Sequence, residues 1–237
     1  MRMKFKPWAR QELETSPFYI DNPLVFKNKW ITAFENTNNP IYLELGCGKG
    51  LFIAKLSKNN PNINYIAIDL VDAMLGMAKR NVEATFGIRT STVKEDIENE
   101  IEKQKIVKNL KLTRYDISRI SDILGEKDNI RRIYINFCNP WPRGKHHKKR
   151  LTYTRQLEHY KEFLKPNGNI YFKTDDDNLF EESIHYFEDV GFKITKLTRD
   201  LKNEENFWEN IETEHEKMFS EQGIKIKALI CQKCEKL

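Results

Sequence analysis

The chain has 237 residues, 40 Lys and Arg against 35 Asp and Glu, and 11% aromatic residues. That length buries enough apolar surface to fold without staples, and the aromatic content excludes a disordered, charge-rich polymer. The net charge of +5 is too small to establish an anionic partner, so the placement of the charge has to carry that argument. Four cysteines, Cys47, Cys138, Cys231 and Cys234, are too few for a disulfide framework, and a reduced, cytoplasmic protein is expected. Cys231-x-x-Cys234 lacks the second ligand pair of a structural zinc site and reads as a final strand and its end; no metal is expected.

Residues 1–35 read as a basic, aromatic arm with a short helical piece around Pro23–Glu35, and residues 36–237 as a single domain. The opening Met1-Arg-Met-Lys-Phe-Lys-Pro-Trp8 is basic, but no apolar run follows, so neither a signal peptide nor a membrane anchor is expected. No stretch approaches the ~20 apolar residues that span a bilayer, so no membrane partner is expected. Ile41–Leu45 predicts a buried strand and Leu51–Asn59 a helix. Asn64–Ile68 predicts a strand, and Ala73–Thr85 a helix with Met74 and Met77 on its apolar face. Val93, Ile97 and Ile101 recur at helical spacing and predict an extra helix over Thr92–Lys108. Leu110–Tyr115 and Arg131–Phe137 are two more strands. Thr154–Leu164 is a helix closed by Pro166 and Gly168. Asn169–Lys173 is a strand, Leu179–Val190 a helix stopped by Gly191, and Phe192–Leu197 and Ile224–Gln232 are a last strand pair. Strands alternating with helices imply a parallel sheet with helices on both faces, and the last pair implies an antiparallel edge.

Two segments carry chemistry. The first is Glu44-Leu-Gly46-Cys-Gly48-Lys-Gly50, between a strand and a helix. Its spacing is neither that of a P-loop nor Gly-x-Gly-x-x-Gly. Without phosphate to cradle, such a loop suits an amino-acid moiety and a sulfonium. Asp69 ends the next strand, where an acid commonly takes ribose hydroxyls. Asp116 ends the third strand and is placed to meet an adenine amino group; its rival, Asp96, lies in a charged helical run and reads as a solvated face.

The second is Tyr134-Ile-Asn-Phe-Cys-Asn-Pro-Trp-Pro142, followed by Arg143, Lys145, His146, His147, Lys148, Lys149 and Arg150. A strand delivers one amide, Asn139, beside an indole in a Pro-locked turn, and a cationic run follows. An amide beside a flat apolar surface suits the edge of a planar ring, and the cations suit phosphate. His146 and His147 read as phosphate or backbone donors, since no ligand partner lies at metal spacing.

Leu43–Gly50, Asp69 and Asn139-Pro-Trp-Pro142 together resemble a Rossmann-like class I S-adenosylmethionine-dependent methyltransferase. More narrowly, the chain is similar to the bacterial tRNA (guanine-N7-)-methyltransferase family. Met1–Ala9, the His146–Thr152 run, Phe172-Lys-Thr-Asp175 with Leu179-Phe180, and Thr213-Glu-His-Glu216 also match that family. The resemblance implies a mostly parallel seven-stranded sheet with an antiparallel edge. It implies S-adenosyl-L-methionine as methyl donor, and as substrate a guanine (position 46) in the variable loop of tRNA. By position, Glu44, Gly46, Gly48, Asp69, Asp116 and Asn139 would contact the cofactor. Arg143, Asp175, Thr213, Glu214, His215 and Glu216 would contact the tRNA or its guanine. No obligate protein partner is implied, and monomer and homodimer stay open. The chain departs from the family in having Asn139 where Asp is usual, Arg143 where Lys is usual, and a longer interval between Asp69 and Asp116.

Guanine N7 carries an in-plane lone pair and no proton, so the chemistry needs alignment and dehydration, with little or no general base. Asn139 loses the charge of Asp but keeps an acceptor and gains two donors. The expectation is that it holds the guanine or the cofactor's amino-acid end and transfers no proton. Asn-Pro-Trp-Pro also resembles the Asn-Pro-Pro-aromatic turn of enzymes that methylate amino groups. A cofactor fold kept only to bind RNA is the other alternative.

Overall fold

The computed structural model describes residues 5–88, 106–208 and 211–234. The strands are β1 (Tyr19–Ile20), β2 (Ile41–Leu45), β3 (Asn64–Asp69), β4 (Leu110–Arg114), β5 (Ile130–Asn136), β6 (Leu164–Thr174), β7 (Phe192–Thr198) and β8 (Lys227–Lys233). The helices are α1 (Pro7–Glu14), α2 (Leu51–Asn59), α3 (Asp72–Phe86), α4 (Thr154–Phe163), α5 (Asp177–Asp189) and α6 (Glu214–Glu221). The strands form one sheet in the order β1-β4-β3-β2-β5-β6-β8-β7. All pairings are parallel except those of β8, which is antiparallel to both neighbours.

The order follows from which strands are apolar on both sides. β2 is buried at every position, as a central parallel strand covered on both faces must be. Its odd positions, Leu43 and Leu45, join Ile133, Ile135, Phe172 and Phe180 in one core. Tyr42 faces the other side with Phe52, Tyr65, Leu75, Val82 and Tyr134. Helices therefore sit on both faces, as the alternation of elements predicts.

Four details differ from the sequence expectation. The sheet has an eighth strand, the two-residue β1, which pairs with Leu112 and Thr113 of β4; so short an edge strand leaves no period to read. β6 starts at Leu164, because a register shift against β5 absorbs the residues between Leu164 and Asn169, Pro166 among them. The helical piece near Pro23–Glu35 is two short 3-10 turns, Pro23–Phe26 and Trp30–Ala33. Finally, α1 and α6 are helices where none was expected. The extra helix of Thr92–Lys108 and Asp96 fall almost wholly outside the described residues.

α1 starts at Pro7, whose missing N–H costs nothing at a helix start. It lies along α3: Ala9 and Leu13 are fully buried, the Arg80 guanidinium forks onto Glu12, and the same group stacks 3.6 Å from the Trp8 ring. Arg10 is held by Glu14, Asp21 and the Tyr19 hydroxyl. Trp30 is buried, with its indole N–H donating to the Ile123 carbonyl at 2.7 Å. No helix among the described residues is long and apolar enough to cross a membrane.

Candidate functional site

The chain leaves β2 toward β3 and β4 on one side, then crosses to β5 and β6 on the other. The carboxyl ends of β2 and β5 therefore splay connections in opposite directions. In open α/β sheets that switch point is where a crevice forms and ligands bind. Glu44, the glycine loop, Asp69, Asp116, Asn139 and Asp175 all lie at or just past the carboxyl ends of β2 to β6.

On the β2–β3 side the site is buried and internally braced. Glu44 is 2% exposed. Its Oε1 accepts from Asn136 Nδ2 at 3.0 Å, directly across the switch point. Its Oε2 is buried without a partner among the described residues. Burial pushes the carboxyl up to about 8, opposed by the Asn136 bond and by Lys173. Gly46, Gly48 and Gly50 all have positive φ, of 75°, 54° and 67°. At Gly50 glycine is required twice over: a side chain there is strained at that φ, and its Cβ would lie 2.6 Å from Ala78 Cβ. The loop is tied to β3 by Gly46 and Cys47 N–H groups donating to the Ile68 carbonyl at 2.9 and 3.0 Å. Asp69 Oδ2 accepts from Gly48 N–H and Oδ1 from Val71 N–H, each at 2.9 Å. Burial raises the Asp69 pKa, and those two backbone donors oppose it. Asp116 is exposed after β4 and caps the next 3-10 turn, its Oδ1 accepting from Ser118 N–H at 2.9 Å.

On the β5–β6 side the side chains face outward from a strained turn. Phe137 and Trp141 have φ of 51° and 43°, a left-handed conformation costing roughly 1–3 kcal/mol per bulky residue. Phe137 is locked by its N–H donating to the Lys173 carbonyl at 2.9 Å. Trp141 N–H donates to Asn139 Oδ1 at 3.1 Å. Asn139 is exposed, and its amide nitrogen has no partner among the described residues.

The cationic run divides in two. Arg143, Lys145, Lys148 and Lys149 are exposed, with Lys149 Nζ 4.9 Å from the Trp141 ring centre. Arg150 is not part of that surface, which corrects the expectation that the whole run meets phosphate. It is 1% exposed and donates to the Pro140 carbonyl, Glu182 and Asn178. His147 likewise points inward, 3.0 Å from Glu182. These bonds hold the Asn139 turn against α5.

The segment near Thr213 is a helix start. Thr213 Oγ1 accepts from Glu216 N–H at 3.0 Å and Glu216 Oε2 accepts from Thr213 N–H at 3.4 Å, a capping box that begins α6. Glu216 also accepts from Lys173 Nζ at 2.7 Å, in a pair whose Lys is 1% exposed. Burial lowers the Lys173 pKa, and Glu216 and Glu44 oppose that. Glu214 is exposed and pairs with Lys49 of the glycine loop at 2.9 Å. His215 stacks on Phe137, with centroids 5.7 Å apart. Asp175 is half-buried past β6, where its carbonyl accepts from Lys227.

The structure thus joins both halves of the expected set through Lys49–Glu214, His215–Phe137 and Lys173–Glu216. Three residues of this network escape sequence reasoning: Asn136, Phe137 and Lys173. The available signal is a polar residue at the apolar end of β5 and a lone Lys inside the apolar run Ile170-Tyr-Phe-Lys173.

Comparisons with known proteins agree with this geometry. Residues 38–229 match the family model described as a putative methyltransferase. A tRNA (guanine-N(7)-)-methyltransferase of Clostridium beijerinckii is 55% identical over 98% of this chain and 99% of its own length. One from Acetivibrio thermocellus is 47% identical over 98% of this chain and 100% of its own. Among solved structures, an antibiotic-related methyltransferase superposes with a TM-score of 0.56 at 16% identity, over 99% of this chain and 97% of that one. The 16S rRNA methyltransferase KamB does so at 0.54 and 13% identity, over 98% and 96%. Those two likenesses speak for the fold. The full-length likeness at about half identity decides the family: this chain belongs to the tRNA (guanine-N(7)-)-methyltransferase family.

Proposed function

We propose that the protein transfers a methyl group from S-adenosylmethionine to N7 of a guanine in the variable loop of tRNA. The observation that carries this reading is the buried acid at the switch point: Glu44 Oε2 lacks a partner among the described residues, beside a loop whose Gly48 has nothing within 4 Å of where a Cβ would stand. A buried unpaired carboxylate oxygen is costly unless a ligand completes it. The ammonium of an amino-acid moiety would do so. Asp69 is held by two backbone donors, and a carboxylate with about four acceptor positions can also take a pair of ribose hydroxyls. Gly46 and Gly48 let the backbone approach, and Asp116 would meet an adenine amino group. When bound, the cofactor supplies an electrophilic methyl on sulfur.

The protein's own task is to hold the guanine edge-on and dry. N7 needs no deprotonation, and attack moves positive charge onto the purine. Asp175 and Glu214 would stabilise that charge and accept from the guanine N1–H and amino group. Asn139 would hold the ring or the cofactor's amino-acid end, its free amide donating and no proton moving. Thr213 and Glu216 would act through the helix start they build, presenting Glu214 and His215 to the base. Arg143, Lys145 and Lys148 would take phosphates, Arg143 with the planar fork that Lys lacks. Of residues 1–35, β1, α1 and Trp30 belong to the sheet and core, and Lys6 beside Trp8 would extend the footprint.

The test is incubation with unmodified tRNA and labelled methyl donor, followed by mapping of the modified nucleotide. N7-methylguanosine in the variable loop is expected. N6-methyladenosine, or no transfer despite cofactor binding, would overturn the reading.

A further inference from the structure

Below the cofactor rim, on the same face of the sheet, lies a second cavity of about 280 Å³. It opens between α2 and the segment after β7. Its floor is Arg132, whose guanidinium carbon lies 4.7 Å from the Tyr42 ring centre and 4.2 Å from that of Tyr171. Arg132 Nη1 donates to the Tyr134 hydroxyl at 3.0 Å. Its Nε is buried and has no partner among the described residues. Trp208 lies on Tyr171, centroids 5.2 Å apart and nearly parallel at 22°. Lys196 stands at the mouth, its Nζ donating to the Phe207 carbonyl at 2.7 Å. Among the described residues, no Asp or Glu lines the cavity.

A cation among aromatic rings gains from the ring faces, but a guanidinium has five donors in a fork; ring faces satisfy none of them, and the Tyr134 hydroxyl takes one. A wall of two cations without an acid selects an anion. The aromatic lining, with Phe207 and Trp208 beside Tyr42 and Tyr65, favours a flat ring, since stacking on aromatic side chains needs no edge readout. At about 280 Å³ the volume falls just short of ordinary ligand pockets, which start near 300 Å³, so the cavity suits one small ligand. We propose that this cavity is a binding site, distinct from the methyl-transfer crevice, for a planar ring carrying one anionic group: the chemistry of a nucleoside monophosphate, free or as one nucleotide of an RNA chain. The Arg132 fork takes the phosphate, with Lys196 as second cation, and the aromatic wall that includes Tyr65 and Phe207 takes the ring. The roof of the cavity is shared with the cofactor rim. Tyr134 pairs in register with Glu44 and packs edge-on against Phe52, 5.2 Å away on α2.

The experiment titrates the full-length protein with GMP, guanosine and a 5′-phosphorylated single-stranded oligonucleotide. Binding is read by calorimetry with S-adenosylhomocysteine saturating, so that the cofactor half of the crevice above is occupied, and dependence on Arg132 and Lys196 separates this cavity from the guanine half. GMP is expected to bind at least tenfold more tightly than guanosine. Arg132→Gln should weaken GMP at least tenfold, and the exposed-site variant Lys196→Ala severalfold, with the affinity for S-adenosylhomocysteine unchanged in both. Oligonucleotide binding that shares the Arg132 dependence identifies an RNA source, and binding of GMP alone identifies the free nucleotide. Equal binding of GMP and guanosine, equal binding by wild type and both variants, or no binding of either phosphate would overturn the site. If Arg132→Gln fails to fold, Lys196→Ala decides on its own: severalfold weaker GMP binding supports the site, and unchanged binding overturns it.

Discussion

The two sides of the switch point solve opposite problems. On the β2–β3 side, Glu44 and Asp69 are drawn into the protein and held by Asn136, Gly48 and Val71. On the β5–β6 side the polar groups divide: Arg150, His147, Lys173 and Glu216 turn inward as braces, and Asn139, Arg143, Lys145 and Lys148 are left outward. On the proposed function, a small cofactor can be enclosed, and the first half would serve as its socket. A polyanion cannot be enclosed, and the second half would meet it with an exposed set of charges on a braced loop. Charge in the sequence therefore does two unlike jobs within eight residues, Arg143 to Arg150.

The sharpest way to break the comparison is at those two arginines. Arg150→Met removes a fully buried guanidinium and its bonds to the Pro140 carbonyl, Glu182 and Asn178, while Glu182 keeps Tyr186, Asn178 and His147. Unfolding free energy in urea should fall by about 2–3 kcal/mol. Arg143→Ala should change it by less than about 0.5 kcal/mol, yet weaken tRNA binding. The reverse pattern would show that the run had been divided wrongly.

A smaller effect tests the brace between the halves. A double-mutant cycle with Lys173→Met and Glu216→Gln should give a coupling energy of about 1–3 kcal/mol. Additive effects would mean that α6 is positioned by something other than this pair.

The socket has its own signature in pH. The native Glu44 carboxyl titrates near 8 against an ordinary value of 4.5, so between those values the native state binds more protons than the unfolded chain. Stability of the ligand-free protein should therefore fall as pH rises through that window. Cofactor affinity should move the other way, rising by up to about tenfold per pH unit and levelling off above about 8, as the ammonium selects the ionised acid. Glu44→Gln should flatten both profiles. Melting curves and calorimetry over the range from about pH 6 to about pH 9 read them, and pH-independent affinity in the wild type would refute the pairing.

The smallest expected effect is in salt. Each exposed phosphate contact contributes roughly 0.7–0.9 to the slope of log affinity against log salt. Arg143→Ala or Lys148→Ala should lower that slope by about one contact. An unchanged slope in both would exclude the loop as a phosphate anchor.

The order of strands and helices was legible because each buried element carries a period or an unbroken apolar run. Ile41–Leu45, Asn64–Asp69 and Thr154–Phe163 all fall within a residue or so of their predicted bounds. The glycine loop and the acids at strand ends were legible because a tight turn demands glycine and a strand end is a fixed place. β1 was not, being two residues long. α6 was not read either: Thr213-x-x-Glu216 fits a capping box, but the acidic composition reads equally as a solvated loop.

By itself, then, the sequence determined the alternation of elements, the loop between β2 and α2, the placement of acids at the strand ends and the closeness of the Asn139 turn to a basic run. These are local properties, fixed by residue type and spacing along the chain. Only the tertiary structure decided which charges serve the fold and which are left exposed. Arg150 meets Glu182 thirty-two positions later, and Lys173 meets Glu216 forty-three positions later. Whether a cation is a brace or a contact depends on what the folded chain brings beside it. No pattern of neighbours in the sequence carries that information.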